Sequence, residues 1–190
     1  MRIPRLTPKI EKPFRTAVGH AIRNEIDEME QGLLRLTDEQ IVGCLSLCAA
    51  VAGYVAIDAC GRQWPIDKNL RGMAERTTKS DNAQAFGLKA EDSYAYMKRV
   101  ALGGEMVNAV LSPIEDAGTL SFVITGFLLV AFRATAEEHW WQYLDRIEEA
   151  WEAALVTDLD LLPALMLRAR RPTSPAGPES PSGATGAGSS

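Results

Sequence analysis

The sequence predicts an all-α fold, a single-domain bundle of about six or seven helices in which two apolar helices are central. Three observations support this fold class. Residues 41–57 and 117–132 carry no charged side chain, apolar residues elsewhere recur every three or four positions, and Ser/Thr-x-x-Glu/Gln signatures precede several apolar runs. The short β-branched run 123–125 has no convincing partner strand, so we expect no sheet.

Composition divides the chain of 190 residues into three parts. Residues 1–13 are basic and are interrupted by prolines, which predicts an extended arm because proline breaks helices. Residues 14–170 have the apolar content and the length to bury a core, and they form the predicted helical domain. Residues 171–190 consist mainly of Pro, Ser and Gly, a composition that predicts a disordered tail.

The first helix of the domain is predicted from one apolar stripe. The stripe consists of Val18, Ile22, Ile26, Met29, Leu33 and Leu36, spaced by three or four residues. Thr37 and Gln40 then form a capping box, in which the threonine hydroxyl accepts a backbone N–H and the glutamine side chain reaches back. This box opens the helix that contains the first uncharged run, and Gly61 ends it.

The second half of the chain is predicted from the same signals. We expect a short helix over residues 65–76, a polar loop over 77–87 and another helix over 90–102. Capping boxes at 112–115 and 135–138 open the second uncharged run and a helix that extends to about residue 156. A last helix is expected over residues 161–170.

Each uncharged run must leave water, either for a protein core or for a lipid bilayer. A spanning helix needs about 20 apolar residues, and both runs are at or below the short limit and are diluted by glycine, serine and threonine. Acids precede both runs, and no basic cluster indicates an orientation across a membrane. The sequence therefore favours two core helices, with a membrane hairpin formed by 41–57 and 117–132 as the alternative.

Charge and cysteine content exclude some classes of protein. The net charge of −5 argues against a general nucleic-acid binder, which needs basic residues to neutralise phosphates. The three cysteines form no disulfide framework and no secretory signal is visible, so we expect a cytoplasmic protein. The excess of arginine over lysine and the alanine-rich helices are typical of bacterial proteins from GC-rich genomes.

Candidates for metal binding or catalysis are few. Cys44 and Cys48 lie one helical turn apart and could share a metal ion, with Cys60 and either His20 or His139 as further ligands. The alternative is that the cysteines are small buried apolar residues and the histidines lie at the surface beside acids. Nucleophile elbow, phosphate-loop, dinucleotide and HExxH motifs are absent, so we expect no cofactor and a protein that is not an enzyme.

The strongest functional candidate is the helix predicted to begin near residue 135. Its core face is predicted to contain Trp140, Leu144, Ile147, Trp151 and Leu155. Trp141 is turned by about 100° from Trp140. It shares an acidic surface with Asp145, Glu148, Glu149 and Glu152. Because exposed tryptophan is enriched in binding hot spots, we expect this surface to dock a protein partner, and a basic one; an ordinary solvated face is the alternative.

A second candidate is the turn between the first uncharged helix and the next short helix. Arg62, Trp64 and Asp67 could form a recognition corner there. The alternative is structural: Trp64 closes the end of the bundle and Asp67 caps the next helix.

The basic arm is a candidate occupant of the acidic helix. Its charged residues are Arg2, Arg5, Lys9, Lys12 and Glu11. We expect docking in the same chain or on a second protomer, which would give a homo-oligomer; contact with a membrane surface or nucleic acid is the alternative. The sequence thus predicts a non-catalytic interaction or accessory protein. A membrane-associated protein and a metal-binding bundle or helical enzyme of unknown reaction are the alternatives.

Overall fold

The computed structural model describes residues 7–60, 67–102 and 116–156, with all their side chains except those of 101–102 and 152–156. These ranges contain eight α-helices and no strand, which confirms the all-α prediction. The helices are α1 (Pro8–Ile22), α2 (Ile26–Leu33), α3 (Asp38–Cys60), α4 (Asp67–Thr77), α5 (Asp81–Ala85), α6 (Ala90–Leu102), α7 (Ala117–Phe132) and α8 (Trp140–Val156). The predicted capping box 112–115, the predicted helix 161–170 and the tail 171–190 lie outside the described ranges.

Helices α3 and α7 form the centre of the bundle, as the sequence predicts. α7 buries nearly every side chain over residues 119–129, and α3 buries the face that includes Val51 and Val55. α1 packs against both central helices, and the rings of Phe14 in α1 and Phe122 in α7 have centroids 6.4 Å apart. The rest of the fold therefore covers most of both uncharged helices.

Two glycines allow α1 to approach the central helices closely. A Cβ atom added to Gly43 of α3 would lie 2.7 Å from Ile10 Cδ1. A Cβ atom on Gly126 of α7 would lie 2.9 Å from Ile22 Cγ1. Both distances are well below the ~3.5–4.0 Å that favours carbon–carbon contact, so a larger residue at either position would force the isoleucine side chain, or α1 with it, to move.

Among the described helices, α3 alone is long and apolar enough to cross a membrane, by length and composition, and α7 is shorter. More than half of the qualifying window of α3 is buried inside the fold. Such burial is what the core helix of a bundle requires, because a helix that is apolar on all sides needs packing partners on all sides.

The prediction of an extended arm over residues 1–13 is wrong for residues 8–13, which form the first turns of α1. Pro8 occupies the first helical position, where its missing N–H costs nothing. Pro13 lies inside the helix and leaves the Lys9 carbonyl without its usual N–H donor. The side chain of Gln40 replaces that donor, since its Nε2 donates to the Lys9 oxygen at 3.1 Å. A contact from α3 therefore allows α1 to continue through a proline.

The predicted capping box at the start of α3 is confirmed. The Gln40 N–H donates to Thr37 Oγ1 at 3.3 Å, and the Thr37 N–H donates to Gln40 Oε1 at 3.0 Å. The amide of Gln40 is thus used at both ends, because its oxygen caps α3 while its nitrogen supports α1.

The single helix predicted from the stripe 18–36 is two helices, because the chain turns between α1 and α2. Asn24 adopts a φ of 62°, a left-handed conformation that asparagine tolerates better than most residues. The Asn24 N–H donates to the Ala21 oxygen at 3.1 Å, and the Glu25 N–H donates to the His20 oxygen at 2.9 Å. These two bonds form a Schellman motif, which ends α1 while the apolar spacing continues into α2.

Two further helix starts differ from the prediction. The loop predicted over 77–87 contains α5, whose cap residue Ser80 accepts the Ala83 N–H at 3.2 Å. α7 is capped by Asp116, whose carboxylate accepts the Thr119 N–H at 2.6 Å. Both caps are short polar side chains placed directly before the first helical residue, the usual position for this contact.

The two uses of the Gln40 amide predict an energetic coupling with Pro13. Gln40→Glu keeps a capping oxygen but removes the donor to Lys9, so it should cost about 1 kcal/mol, the net value of one hydrogen bond. In a Pro13→Ala chain the N–H of residue 13 donates to the Lys9 carbonyl. The same Gln40→Glu change should then lower the free energy of unfolding by about 1 kcal/mol less than it does in the wild type. Urea unfolding of the four chains measures the coupling. Equal costs in both backgrounds would contradict the replacement of the missing donor by Gln40.

Candidate protein-interaction site

Helix α8 begins at Trp140, later than the predicted start at Thr135. The predicted capping contact exists, because the Thr135 hydroxyl accepts the Glu138 N–H at 3.2 Å, but it closes a turn that precedes the helix. Gln142 supports the helix start instead, since its Oε1 accepts the His139 N–H at 2.8 Å. This arrangement fixes His139 directly before the first turn of α8.

α8 runs antiparallel to α1. A Cβ atom on Gly19 would lie 3.5 Å from the ring of Trp140, whereas Asp145, further along α8, bonds to Arg15, earlier in α1. The core face is as predicted for Leu144, Ile147 and Trp151, which are buried, and Trp140, which is partly buried. The side chain of Leu155 lies outside the described residues.

Trp141 lies at the surface, as the helical spacing predicts, with 42% of the residue exposed. Its ring stacks on His139, with centroids 4.0 Å and planes 10° apart, and meets Trp140 edge to face at 5.9 Å. Contacts on two sides restrict the conformations available to the Trp141 side chain. A partner that covers this ring would therefore pay little in side-chain entropy.

The acidic residues of α8 do not form one solvated face. Arg15 of α1 bonds to Asp145 at 2.7 Å, to Glu148, and to Glu11 in its own helix at 3.0 Å. The prediction that Glu148 lies on the solvated surface with Trp141 is wrong, because α1 covers that part of the face and Glu148 is buried. An ion-pair cluster between α1 and α8 therefore takes up two of the predicted docking acids.

The other acids around Trp141 are in different settings. Glu138 is held by Arg146, whose Nε and Nη2 donate to its two carboxylate oxygens at 2.9 and 3.1 Å. Glu149 is exposed, and the Asp145 side chain is about half exposed despite its ion pair. The side chain of Glu152 lies outside the described residues. Among the described acids that follow Trp141 along α8, the accessible ones are therefore Asp145 and Glu149.

Sequence reasoning missed Arg15. It assigned the basic contact of α8 to residues 1–13; Arg15, just beyond that segment, is the cation that the described residues show on α8, and Arg2 and Arg5 lie outside the described ranges. The available signal was the spacing of Glu11 and Arg15, an i,i+4 pair that indicates a helix face. Lys9 and Lys12 instead line a cleft between α1 and α2.

Burial dominates the electrostatics of Glu148. It raises the pKa of Glu148, although the charge and hydrogen bond of Arg15 act in the opposite direction. Glu148 Oε1 is buried without a hydrogen-bond partner in the part of the chain that is described. Burial by itself lowers the pKa of Arg15, but the hydrogen bond to Asp145 and the charge of Glu148 outweigh it, so this pKa is raised. The α1–α8 contact therefore depends on Arg15 to compensate a buried carboxylate.

In the second predicted candidate, the structure describes Asp67 but not Arg62 or Trp64. Asp67 lies in the first turn of α4 and accepts hydrogen bonds from the Tyr94 hydroxyl and from Arg71 Nε, the latter at 3.1 Å. Lys98 Nζ lies 3.3 Å from the same carboxylate. The hydrogen bond from Tyr94, followed by those from the cations, lowers the pKa of Asp67 to about 2. This carboxylate is therefore engaged within the chain, where it connects α4 to α6.

The weak metal candidates do not come together. In residues 7–60, 67–102 and 116–156, no group of three or more potential ligands could hold a metal ion. Cys44 and Cys48 are buried, and burial raises the pKa of Cys44 to about 11 and that of Cys48 further. Burial thus disfavours the thiolate form that binds metals. His20 Nδ1 lies 2.7 Å from Glu25 Oε2, and His139 stacks on Trp141.

Comparison of the chain with protein-family models, with curated proteins and with solved structures gave no match. Its function therefore has to be inferred from the geometry and charge of its own surface.

Removal of Arg15 should destabilise the fold in a pH-dependent way. Arg15→Met leaves the Glu148 carboxylate buried without a cation. This change should lower the free energy of unfolding by about 2 kcal/mol at pH 7, which is less than the loss expected at a fully buried ion pair. The raised pKa of Glu148 means that the folded state binds its proton more tightly than the unfolded state. This contribution favours folding at low pH and is lost as pH rises above 4.5, so the cost of Arg15→Met should shrink toward pH 4.

Urea unfolding of the Arg15→Met chain at pH 7 and pH 4 measures this effect. Adding Glu148→Gln to Arg15→Met should recover most of the lost stability at pH 7. Asp145→Asn is the matched control and should change stability by less than about 0.5 kcal/mol, because that carboxylate is half exposed. An Arg15→Met cost that is the same at both pH values would contradict the role assigned to Glu148.

The hydroxyl of Tyr94 should account for most of the acidity of Asp67. Tyr94→Phe removes the largest contribution and keeps the ring on which Arg71 stacks, so the pKa of Asp67 should rise from about 2 toward its ordinary value of 3.8. Carboxyl NMR titration follows this change directly. Lys98→Met should raise the pKa less, and an unchanged value in Tyr94→Phe would refute the assignment.

Proposed function

We propose that this chain is a non-catalytic protein-interaction or accessory protein that docks through the start of α8. The docking surface consists of Trp141, supported by His139, together with the accessible carboxylates of Asp145 and Glu149. The observation that carries the proposal is the Trp141 ring, which is 42% exposed although it is stacked and oriented by its neighbours.

Energetics favour an aromatic anchor of this kind. Tryptophan contributes more binding energy than other residues when a partner covers it, and a fixed ring loses little entropy on binding. Trp141 is also one of only three large apolar side chains that are strongly exposed in the described residues. A partner would therefore gain most at this position.

Charge supports a basic rim on the partner. Asp145 and Glu149 follow Trp141 at intervals of four residues, so they lie along the same side of the helix about one and two turns beyond the ring. Arg146 does not neutralise this edge, because both carboxylate oxygens of Glu138 already bind it. The partner is thus expected to offer an apolar pocket flanked by lysine or arginine.

Affinity purification from native cells with tagged wild type, Trp141→Ala and Lys79→Ala tests the proposal. Lys79 is the control, because it is an exposed residue at a different place in the fold. A partner retained by wild type and by Lys79→Ala should be lost with Trp141→Ala. With that partner purified, Trp141→Ala should weaken the binding free energy by at least about 2 kcal/mol, which raises Kd roughly thirtyfold.

Thermal unfolding must be similar for the three chains, so that lost binding cannot be attributed to lost folding. Glu149→Lys should mainly slow association with a basic partner and reduce its salt dependence. Equal affinities of wild type and Trp141→Ala for the purified partner would refute this docking surface.

A further inference from the structure

A second surface lies at the end of the bundle where α3 and α7 begin and α2 ends. It is a groove of about 410 Å³. Its apolar lining consists of Leu33, Leu34, Ile41, Leu45 and Phe122. Leu34 is 84% exposed and neighbouring Val42 is 63% exposed, more than any other large apolar side chain described. Exposed apolar residues grouped around a groove indicate a site that something covers.

The rim of this groove is acidic. Glu30 and Asp116 line it, and none of the described lining residues is a lysine or arginine. Asp38 and Glu39, in the first turn of α3, and Arg35, which follows Leu34, are also exposed at this end of the bundle, so these acids outnumber the one base. An occupant with an apolar body and a basic end would match both the lining and the rim.

The direction of α8 brings the C-terminal part of the chain to this same end. Glu148 meets Arg15, and α8 continues antiparallel to α1 for about two more turns, or ~12 Å, to Val156. A distance of ~12 Å from Arg15 toward the start of α1 reaches the first residues of that helix. There the Lys9 oxygen accepts a hydrogen bond from Gln40 of α3. Val156 therefore ends level with the start of α3, the helix whose first turns line the groove.

The sequence that follows has the required chemistry. Residues 161–167 contain Leu161, Leu162, Leu165, Met166 and Leu167, and the chain then turns basic with Arg168, Arg170 and Arg171. From Val156 to Leu161 the chain can span up to about 17 Å.

We propose that residues 161–171 of this chain occupy the groove formed by α2, α3 and α7, with the leucines on Leu34, Ile41 and Leu45 and the arginines beside Glu30 and Asp116. The segment covers the most exposed apolar side chains of the described fold. This surface is separate from Trp141, so the proposal stands or fails independently of the docking function.

Thiol labelling of the full-length chain tests this contact. The reporter is Leu34→Cys in a Cys60→Ser chain, because Cys44 and Cys48 are buried. Arg168→Glu, Arg170→Glu and Arg171→Glu together, or Leu165→Asp alone, should release the segment. If the groove is covered ~90% of the time, release should raise the labelling rate about tenfold.

The control reporter is Lys79→Cys in the same backgrounds. Lys79 precedes α5, whose Asn82 bonds to the Ile22 oxygen at the opposite end of α1, so its labelling should not change. Glu30→Arg combined with the three Arg→Glu changes reverses both charges and should restore protection of the Leu34→Cys thiol.

Two results would overturn the proposal. The first is a labelling rate at Leu34→Cys that is the same with and without the releasing changes. The second is protection that increases with protein concentration, which would assign the groove to a second copy of the chain. If the releasing changes speed labelling at both Leu34→Cys and Lys79→Cys, the chain that combines Glu30→Arg with the three Arg→Glu changes is compared. Failure of that chain to restore protection of the Leu34→Cys thiol also refutes the contact.

Discussion

The fold depends on the mutual burial of two helices that water cannot solvate. α7 has no charged residue, and nearly all of its side chains over residues 119–129 are buried. α3 is apolar enough to meet the length and hydropathy test for a membrane span. Their packing against each other covers only one side of each, so α1, α4, α6 and α8 must cover the rest. Gly43 and Gly126 allow α1 to approach both helices at once, because a Cβ atom at either position would require the side chain of Ile10 or Ile22 to move.

Enclosing these helices determines where charge is buried. α8 packs on α7 and also contacts α1 through Arg15, and that contact buries one side of α8 that would otherwise be solvated. Glu148 lies on this side and loses its water, which Arg15 compensates with a direct ion pair. The ion pair gives α1 and α8 a fixed register, because an unpaired carboxylate at this depth would be costly in any shifted arrangement.

Local signals in the sequence predicted much of this fold, and two of the failures share one cause. Helix period and capping chemistry are local, and they correctly predicted the bounds of α6, the Thr37–Gln40 box and the core face of α8. Pro13 inside α1 depends on Gln40 in another helix, and the burial of Glu148 depends on Arg15 across a helix pair. A single sequence does not reveal such long-range contacts. The exposure of Trp141 was predictable because it follows from helical phase alone.

Trp141 lies at the start of α8, whereas the groove lies at the end of the bundle toward which α8 runs, and the packing of α8 keeps the two surfaces independent. The Tyr143 hydroxyl donates to Asp58 at 3.0 Å, which fixes the first turn of α8 to the end of α3. Buried Trp151 anchors the later turns in the core. With both ends held, a partner that docks at Trp141 has no loose helix through which to displace anything at the groove. Communication between the two surfaces would require α8 to move as a unit, and that motion would break the Arg15–Glu148 pair and leave a buried charge uncompensated.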